Sequence, residues 1–495
     1  MNSNRRKLRN GLFFSTLCVP WLLAGFPLRA EEAPKLPPDM QALVDLSHSA
    51  PPEFAADALL RIVESGRVEN RDAKRDLVEQ AFRLAPHAQE PMRRVSIPGS
   101  QVDTRSGYRG AAMKLGLNAL SLECRAIRDM LPLNRERARE LFSSIAKPRL
   151  EALSCDDPLV YDVDDFYQTL QQIVSSAFTP AERQKDEDVH FLTTYLSGIT
   201  AHAELAPAAR AIVSLNLTPA QFEVAEGTLL TKFETVGHDD RSFSVAADRL
   251  QDAVSGLAVA AAHEDLGTEG IVRAFRKYLV ANLSGARCED NVGVTTHASQ
   301  AVRAVDWFNK QFHGDTAPIQ RDEMQPSSVD GSAKIEPYWQ SGEAKQILKD
   351  AKALRFSPQD RPLSASERNT PEWKQALGEV LAEVESWRPT AEASASDYFH
   401  QKAIVYEALL ELAPGGDDRN KILAAYVAFL AGSEAQQESP VEWFWHAQDT
   451  LERLRNTGGG DPAKLLAAYK SSGNVVLSLF ATLDARAPAK PFYAK

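Results

Sequence analysis

Apolar residues recur at helical spacing almost from end to end of this chain. Leu120, Cys124, Ile127 and Leu131 fall at i, i+4, i+7 and i+11, and Leu115, Ala119, Leu122 and Ala126 form a second stripe beside them. A helix apolar on two faces belongs between layers. Val163, Phe166, Leu170, Ile173, Val174 and Ala177 repeat the pattern after an acidic start at Asp156, Asp157 and Asp162, which suits a positive helix N-terminus. Further stripes are Phe222, Ala225, Leu229, Phe233 and Val236, then Leu250, Val254, Leu257 and Ala261, then Ile271, Phe275, Tyr278, Leu279 and Asn282. In the second half, Leu377, Val380, Leu381 and Val384 make one face, Ile404, Val405, Ala408 and Leu412 another, and Phe444, Ala447, Leu451 and Leu454 a third.

The punctuation agrees. Thr179-Pro180, Thr218-Pro219, Thr370-Pro371 and Ser439-Pro440 each place a capping hydroxyl before a proline at the first helical position. Gly415-Gly416 and Gly458 to Gly460 mark stops, and no strand alternation bounded by turns is convincing. The expected class is all-α: antiparallel helix pairs stacked as an irregular bundle or α-solenoid. The helix ends Ala81–Pro86 and Leu409–Pro414 resemble those of tetratricopeptide units, although no fixed period runs through the chain.

The first thirty residues break the pattern. Arg5, Arg6, Lys7 and Arg9 precede an apolar stretch from Gly11 to Phe26, and Ala30 closes the segment before the acidic Glu31 and Glu32. Charge, hydrophobe and small residue in that order predict a cleavable secretory signal. Pro20 and Gly25 interrupt the stretch, and a membrane span wants roughly 20 continuous apolar residues. Leu17 before Cys18 argues against a lipoprotein site, and Arg5-Arg6 reads as part of a basic leader rather than a twin-arginine signal. The expected organisation is a signal over 1–30, a linker over 31–38, a helical domain over 39–312, a polar proline- and glycine-bearing linker over 313–337, a second helical domain over 338–485 and an extended tail over 486–495. Export places the chain in the periplasm or outside the cell, with no transmembrane segment after cleavage.

That compartment changes how charge and cysteine are read. The whole chain carries −11, and removing residues 1–30, with five basic and no acidic residues, leaves −16. Such a surface repels phosphate backbones, so nucleic acid is not an expected partner. Cys124 on the apolar stripe reads as core. Cys155 and Cys288 lie in polar settings; either they pair, closing a long loop for about 4 kcal/mol, or all three thiols stay free.

Several segments invite a chemical reading. Glu187-Asp188-Val189-His190 holds one Glu-x-x-His step where a di-iron bundle needs two; it reads as a solvated face. His202/Glu204, His238/Asp239/Asp240 and His263/Glu264 lack the His-Glu-x-x-His spacing of a zinc helix, so no metal is expected. Ser144-Ile145-Ala146-Lys147 matches Ser-x-x-Lys but sits at a helix end, without the companion motifs of penicillin-binding enzymes. The chain holds no serine elbow, phosphate loop or dinucleotide fingerprint, so no cofactor is expected. Two places remain as a candidate binding surface: the loop with Asp103, Arg105 and Tyr108, and the cluster Trp443, Trp445 and His446, whose rings could stack on a sugar or anchor a partner.

Asp103–Tyr108, Arg137–Phe142, Tyr161–Tyr167 and Tyr278–Cys288 resemble segments of uncharacterised secreted all-helical proteins of acidobacterial type. The resemblance implies an exported helical protein and carries over no catalytic residue. The reading favoured by the sequence is a non-enzymatic helical scaffold binding other exported proteins. The alternative is a secreted helical hydrolase or lyase that uses Asp, Glu and His groups on a saccharide or peptide.

Overall fold

The threonine–proline and serine–proline pairs do begin helices. Thr179 and Thr218 close full capping boxes with Glu182 and Gln221, Thr370 Oγ1 accepts from the Trp373 amide, and Ser439 Oγ accepts from the Glu442 amide at 3.2 Å. Asparagines cap others: Asn70, Asn118, Asn134 and Asn474 each accept a backbone amide three residues on. These caps satisfy the orphan donors of a helix start.

The computed structural model describes residues 36–88, 93–96, 110–153, 159–237, 240, 242–284, 286–287, 294–320, 323, 327–328, 342–389, 395–433, 439–457 and 461–487. The first half runs α1 (Pro38–Ser47), α2 (Pro52–Glu64), α3 (Arg71–Leu84), α4 (Ala119–Met130), α5 (Arg135–Ser144), α6 (Asp164–Ser176), the single turn α7 (Pro180–Arg183), α8 (Glu187–Leu196), α9 (His202–Val213), α10 (Pro219–Thr235), α11 (Phe243–His263), α12 (Glu269–Ser284) and α13 (Val294–Gln311). The second half runs α14 (Gly342–Ala353), α15 (Pro371–Ser386), α16 (Ala395–Leu412), α17 (Gly416–Ser433), α18 (Pro440–Thr457), α19 (Pro462–Ser471) and α20 (Val475–Arg486). The class is all-α, as the periodicity predicted. Among the described residues two minimal ladders, absent from the sequence reading, join it: β1 (Arg93–Ser96) antiparallel to β2 (Leu159–Tyr161), and β3 (Ala286–Arg287) parallel to β4 (Ser327–Ser328). No helix among the described residues is long and apolar enough to cross a membrane.

Sequential neighbours pack as the short connections require, α2 on α3, α12 on α11, and α16 on α15 and α17, and α12 also packs on α10. The two-faced helix α4 contacts α2, α3, α5 and α6, and Cys124 within it is fully buried. The stretches on either side of 313–337 share one hydrophobic core. Phe54 of α2 meets Phe444 of α18 edge-on at 5.1 Å, and Phe444 meets Phe480 of α20 at 5.0 Å. The buried Arg61 donates from Nε to the Ala487 carbonyl at 3.0 Å, so the first helices are tied to the end of the last. The start of the expected linker is also anchored. Asn309 brackets Ile319 with bonds to its carbonyl and from its amide, and Arg276 holds Glu323 at 2.9 Å.

One face was misread. On α16 the expected face Ile404, Val405, Ala408 and Leu412 is only half-buried at Ile404 and Ala408, whereas Phe399, His400, Ala403, Tyr406, Glu407 and Leu410 are buried. The helix is enclosed on nearly every side, so polar residues are carried into the interior. That fact builds the site.

Candidate functional site

Three residues of α16 at i, i+4 and i+8 lie on one stripe: Tyr398, Lys402 and Tyr406. Facing them on α17 are Phe429 and the small residues Ala425, Ala428 and Gly432, which leave room between the helices. Glu385 and Arg388, at the end of α15, stand exposed at the rim. Together they line an open cleft of about 530 Å³, the size of small-molecule sites.

Lys402 is held at the cleft because the end of α15 needs donors. A helix C-terminus leaves carbonyls without intrahelical partners and carries partial negative charge. Lys402 Nζ lies 3.1 Å from the Trp387 carbonyl and 3.5 Å from that of Glu385, and it donates to Tyr398 Oη at 3.1 Å. Tyr398 Oη itself donates to the Trp387 carbonyl at 2.6 Å, and Arg388 Nη1 donates to the same carbonyl at 3.0 Å. The ammonium also sits 5.3 Å from the Phe429 ring centre and 5.5 Å from that of Tyr398, within cation–π range. Only 4 % of the Lys402 surface is exposed. Burial disfavours its charged form and lowers its pKa to about 8; Arg388 pushes the same way and Glu385 opposes. Burial likewise raises the Tyr406 hydroxyl above its ordinary range.

Behind this stripe, α16 turns a second polar row toward α17 and α18. His446 Nδ1 of α18 and Glu407 Oε1 share a hydrogen bond at 2.6 Å. On the other side of the ring, His446 Nε2 lies 2.8 Å from His400 Nδ1. His400 Nε2 is 3.7 Å from Glu442 Oε2. At the other end Tyr426 Oη donates to Glu407 at 3.3 Å and shares a bond with Thr450 Oγ1 at 2.8 Å. His400 and His446 are fully buried, and Glu407 and Glu442 are 4 % and 7 % exposed. The Phe399 ring, 5.4 Å from both the His446 and the Phe429 rings, stands between this chain and the cleft. The chain therefore ties three helices together and is buried away from the cleft.

This placement corrects the aromatic surface expected from the sequence. Trp443 is fully buried and donates from Nε1 to the Leu430 carbonyl at 2.9 Å, and His446 is fully buried in the chain just described. Trp445 is half-buried, packed on the core and edge-on to His446 at 4.7 Å. Neither Trp443 nor His446 can meet a partner. Asp103, Arg105 and Tyr108 lie outside the described residues, as do Cys155, Cys288 and His238.

The remaining chemical segments disperse. His202 is fully buried, with Nδ1 2.8 Å from Tyr278 Oη, while His263 is exposed beside Glu264; they do not share a cleft. Glu204 accepts from Tyr167 Oη and from the Thr200 and Ala201 amides, serving the start of α9. Asp188 is buried against Arg183 at 2.9 Å, whereas Glu187 and His190 are exposed. Ser144 Oγ bonds the Leu141 carbonyl and Lys147 Nζ the Thr194 carbonyl, so the Ser-x-x-Lys pair makes no nucleophile–base contact. Burial pushes Glu123 and Glu226 up to about 7, the latter helped by Glu223, but neither lines the cleft. Among the described residues no group of three His, Cys, Asp or Glu side chains could hold a metal.

No protein family, curated protein or solved structure matches this chain. The site residues are therefore identified by geometry alone. Sequence reasoning passed over Tyr398, Lys402, Tyr406 and Phe429. The Tyr-x-x-x-Lys-x-x-x-Tyr spacing was visible, yet a lysine between tyrosines on a helix ordinarily reads as a solvated face.

Proposed function

We propose that the protein is an exported, non-catalytic helical scaffold whose ligand seat is the cleft between α15, α16 and α17, and that it takes a small organic molecule there. The observation that carries this reading is the cleft itself. Aromatic walls from Tyr406 and Phe429 meet a buried cation and a charged rim, a combination that favours a planar or apolar body with one polar group. Its volume suits a small ligand, whereas a stable protein interface buries about 1,200–2,000 Å². The basic, apolar and small-residue order of the first thirty residues supports export. The protein-partner reading loses its aromatic anchor once Trp443 and His446 are buried. The hydrolase reading draws no support from the histidines named for it that are described, since His202 is buried against Tyr278 and His263 is exposed beside Glu264.

Gly432 offers a clean test. A Cβ at this position meets nothing within 4 Å, so a side chain can start here, and Gly432→Phe adds a ring at the lining of the cleft. Native mass spectrometry of the protein isolated from its own envelope is expected to show a bound small molecule in the wild type and its loss in Gly432→Phe. A ligand retained equally by both proteins would place the seat elsewhere and overturn the reading.

A further inference from the structure

The amine in the cleft has partners that suit its free base. A neutral primary amine carries two N–H donors and a lone pair, while an ammonium carries three donors and no acceptor. Two acceptors of Lys402 Nζ, the Trp387 carbonyl and Tyr398 Oη, lie at 3.1 Å, and the third, the Glu385 carbonyl, lies at 3.5 Å. The first two serve either form. The third proton of an ammonium finds only an acceptor at the far limit of hydrogen bonding. Losing that proton therefore costs this site little, and the pKa near 8 agrees with the geometry. An uncharged lysine in an apolar setting is a nucleophile toward carbonyl carbon.

The rest of the lining narrows the electrophile. Tyr406 and Phe429 form an aromatic wall, with ring centres 5.5 Å apart. Such a wall suits a flat hydrocarbon ring. Arg388 at the rim is a planar donor that matches a carboxylate. An aromatic 2-oxo acid carries the three matching groups in one molecule: a ring, a carbonyl carbon and an adjacent carboxylate.

We propose that Lys402 forms a reversible imine with an aromatic 2-oxo acid bound in this cleft. The inference rests on the cleft being the ligand seat. The Nζ lone pair attacks the carbonyl carbon, forming the C–N bond and a carbinolamine. The C–O bond then breaks, and both amine protons leave with the carbonyl oxygen as water. The resulting imine is neutral; when protonated, its single N–H faces the Trp387 carbonyl that already accepts from Lys402. Tyr398, donating to that same carbonyl and accepting from Nζ, is the positioning residue. No oxidant or reductant enters the reaction, and water reverses it.

Phenylpyruvate is the probe, with borohydride reduction to fix the imine as a secondary amine and peptide mass spectrometry to locate it. At pH 8 about half of Lys402 is free base, against well under 1 % of an ordinary lysine, roughly a hundredfold advantage. Lower basicity offsets about tenfold of this, so Lys402 is expected to be modified about tenfold faster than any other lysine. Lys402→Arg removes that adduct and leaves the slow labelling of surface lysines unchanged. Gly432→Phe, which keeps Lys402, also suppresses it. Arg388→Ala slows trapping of phenylpyruvate but not of benzaldehyde, which has no carboxylate. Labelling that simply follows exposure, with Lys402 among the slowest, would overturn the imine. Equilibrium dialysis separates the two claims. Phenylpyruvate that binds wild type and Lys402→Arg alike, without trapping, removes the imine and keeps the seat. No binding to wild type removes the aromatic 2-oxo acid, and binding and trapping unchanged by Gly432→Phe remove the seat as well.

Discussion

Replacing Glu407 by alanine lowers the unfolding free energy by about 2–4 kcal/mol, because a buried imidazole loses its hydrogen-bond partner and a cavity opens where the side chain stood. Glu407 shares a bond with His446 Nδ1 and accepts from Tyr426 Oη in a region sealed from water. Without it, the His446 ring loses a partner that water cannot replace and the imidazole chain to His400 loses its anchor, whereas Tyr426 Oη keeps the His446 carbonyl at 3.1 Å. Urea unfolding followed by circular dichroism measures the change. A double-mutant cycle with His446→Ala should show strong coupling, because the two side chains are in direct contact. A Glu407→Ala protein as stable as the wild type would mean the chain does not join α16 to α18.

Trp443→Ala is expected to cost about 3–5 kcal/mol, as for other large buried aromatic truncations. The indole is fully buried and its Nε1 bonds the Leu430 carbonyl of α17. Trp445→Ala should cost clearly less, since that ring is only half-buried. The same unfolding experiment decides it. If Trp443→Ala left stability unchanged, the ring would belong to a surface, as the sequence alone suggested.

Where one side of a helix faces the core, the chain was legible. The proline-marked starts at 180, 219, 371 and 440 and the burial of Cys124 follow from local rules that need no tertiary knowledge. Periodicity failed on helices packed on several sides. On α18, Phe444 points to Phe54 and Phe480 while its neighbour Trp443 reaches α17. Consecutive residues lie about 100° apart around a helix, so being off one apolar stripe did not put Trp443 in solvent. On α16 enclosure brings His400, Lys402 and Glu407 inside, and polar residues lower any apolar signal. Their partners Glu442, His446 and Glu385 come from other helices, and Trp387 is the residue that caps the end of α15. Only the fold brings them together. Much the same holds for Ala425, Ala428 and Gly432, whose smallness opens a cleft only because Tyr398, Lys402 and Tyr406 face them.

Lys402 is a desolvated amine at the cleft, and its protonation equilibrium reports that directly. With lysine labelled at Cε, the resonance lost in Lys402→Arg can be followed by carbon NMR from pH 6 to 11. Burial and Arg388 both disfavour the ammonium, so the midpoint must move down from 10.5, and the expected value is about 8. The unfolded chain regains the ordinary value, so between about 8 and 10.5 it binds the proton that the folded protein has shed. This group therefore makes stability rise with pH across that window. A midpoint near 8 that responds to Gly432→Phe agrees with the cleft described here. A midpoint at the ordinary lysine value, unmoved by Gly432→Phe, would contradict it.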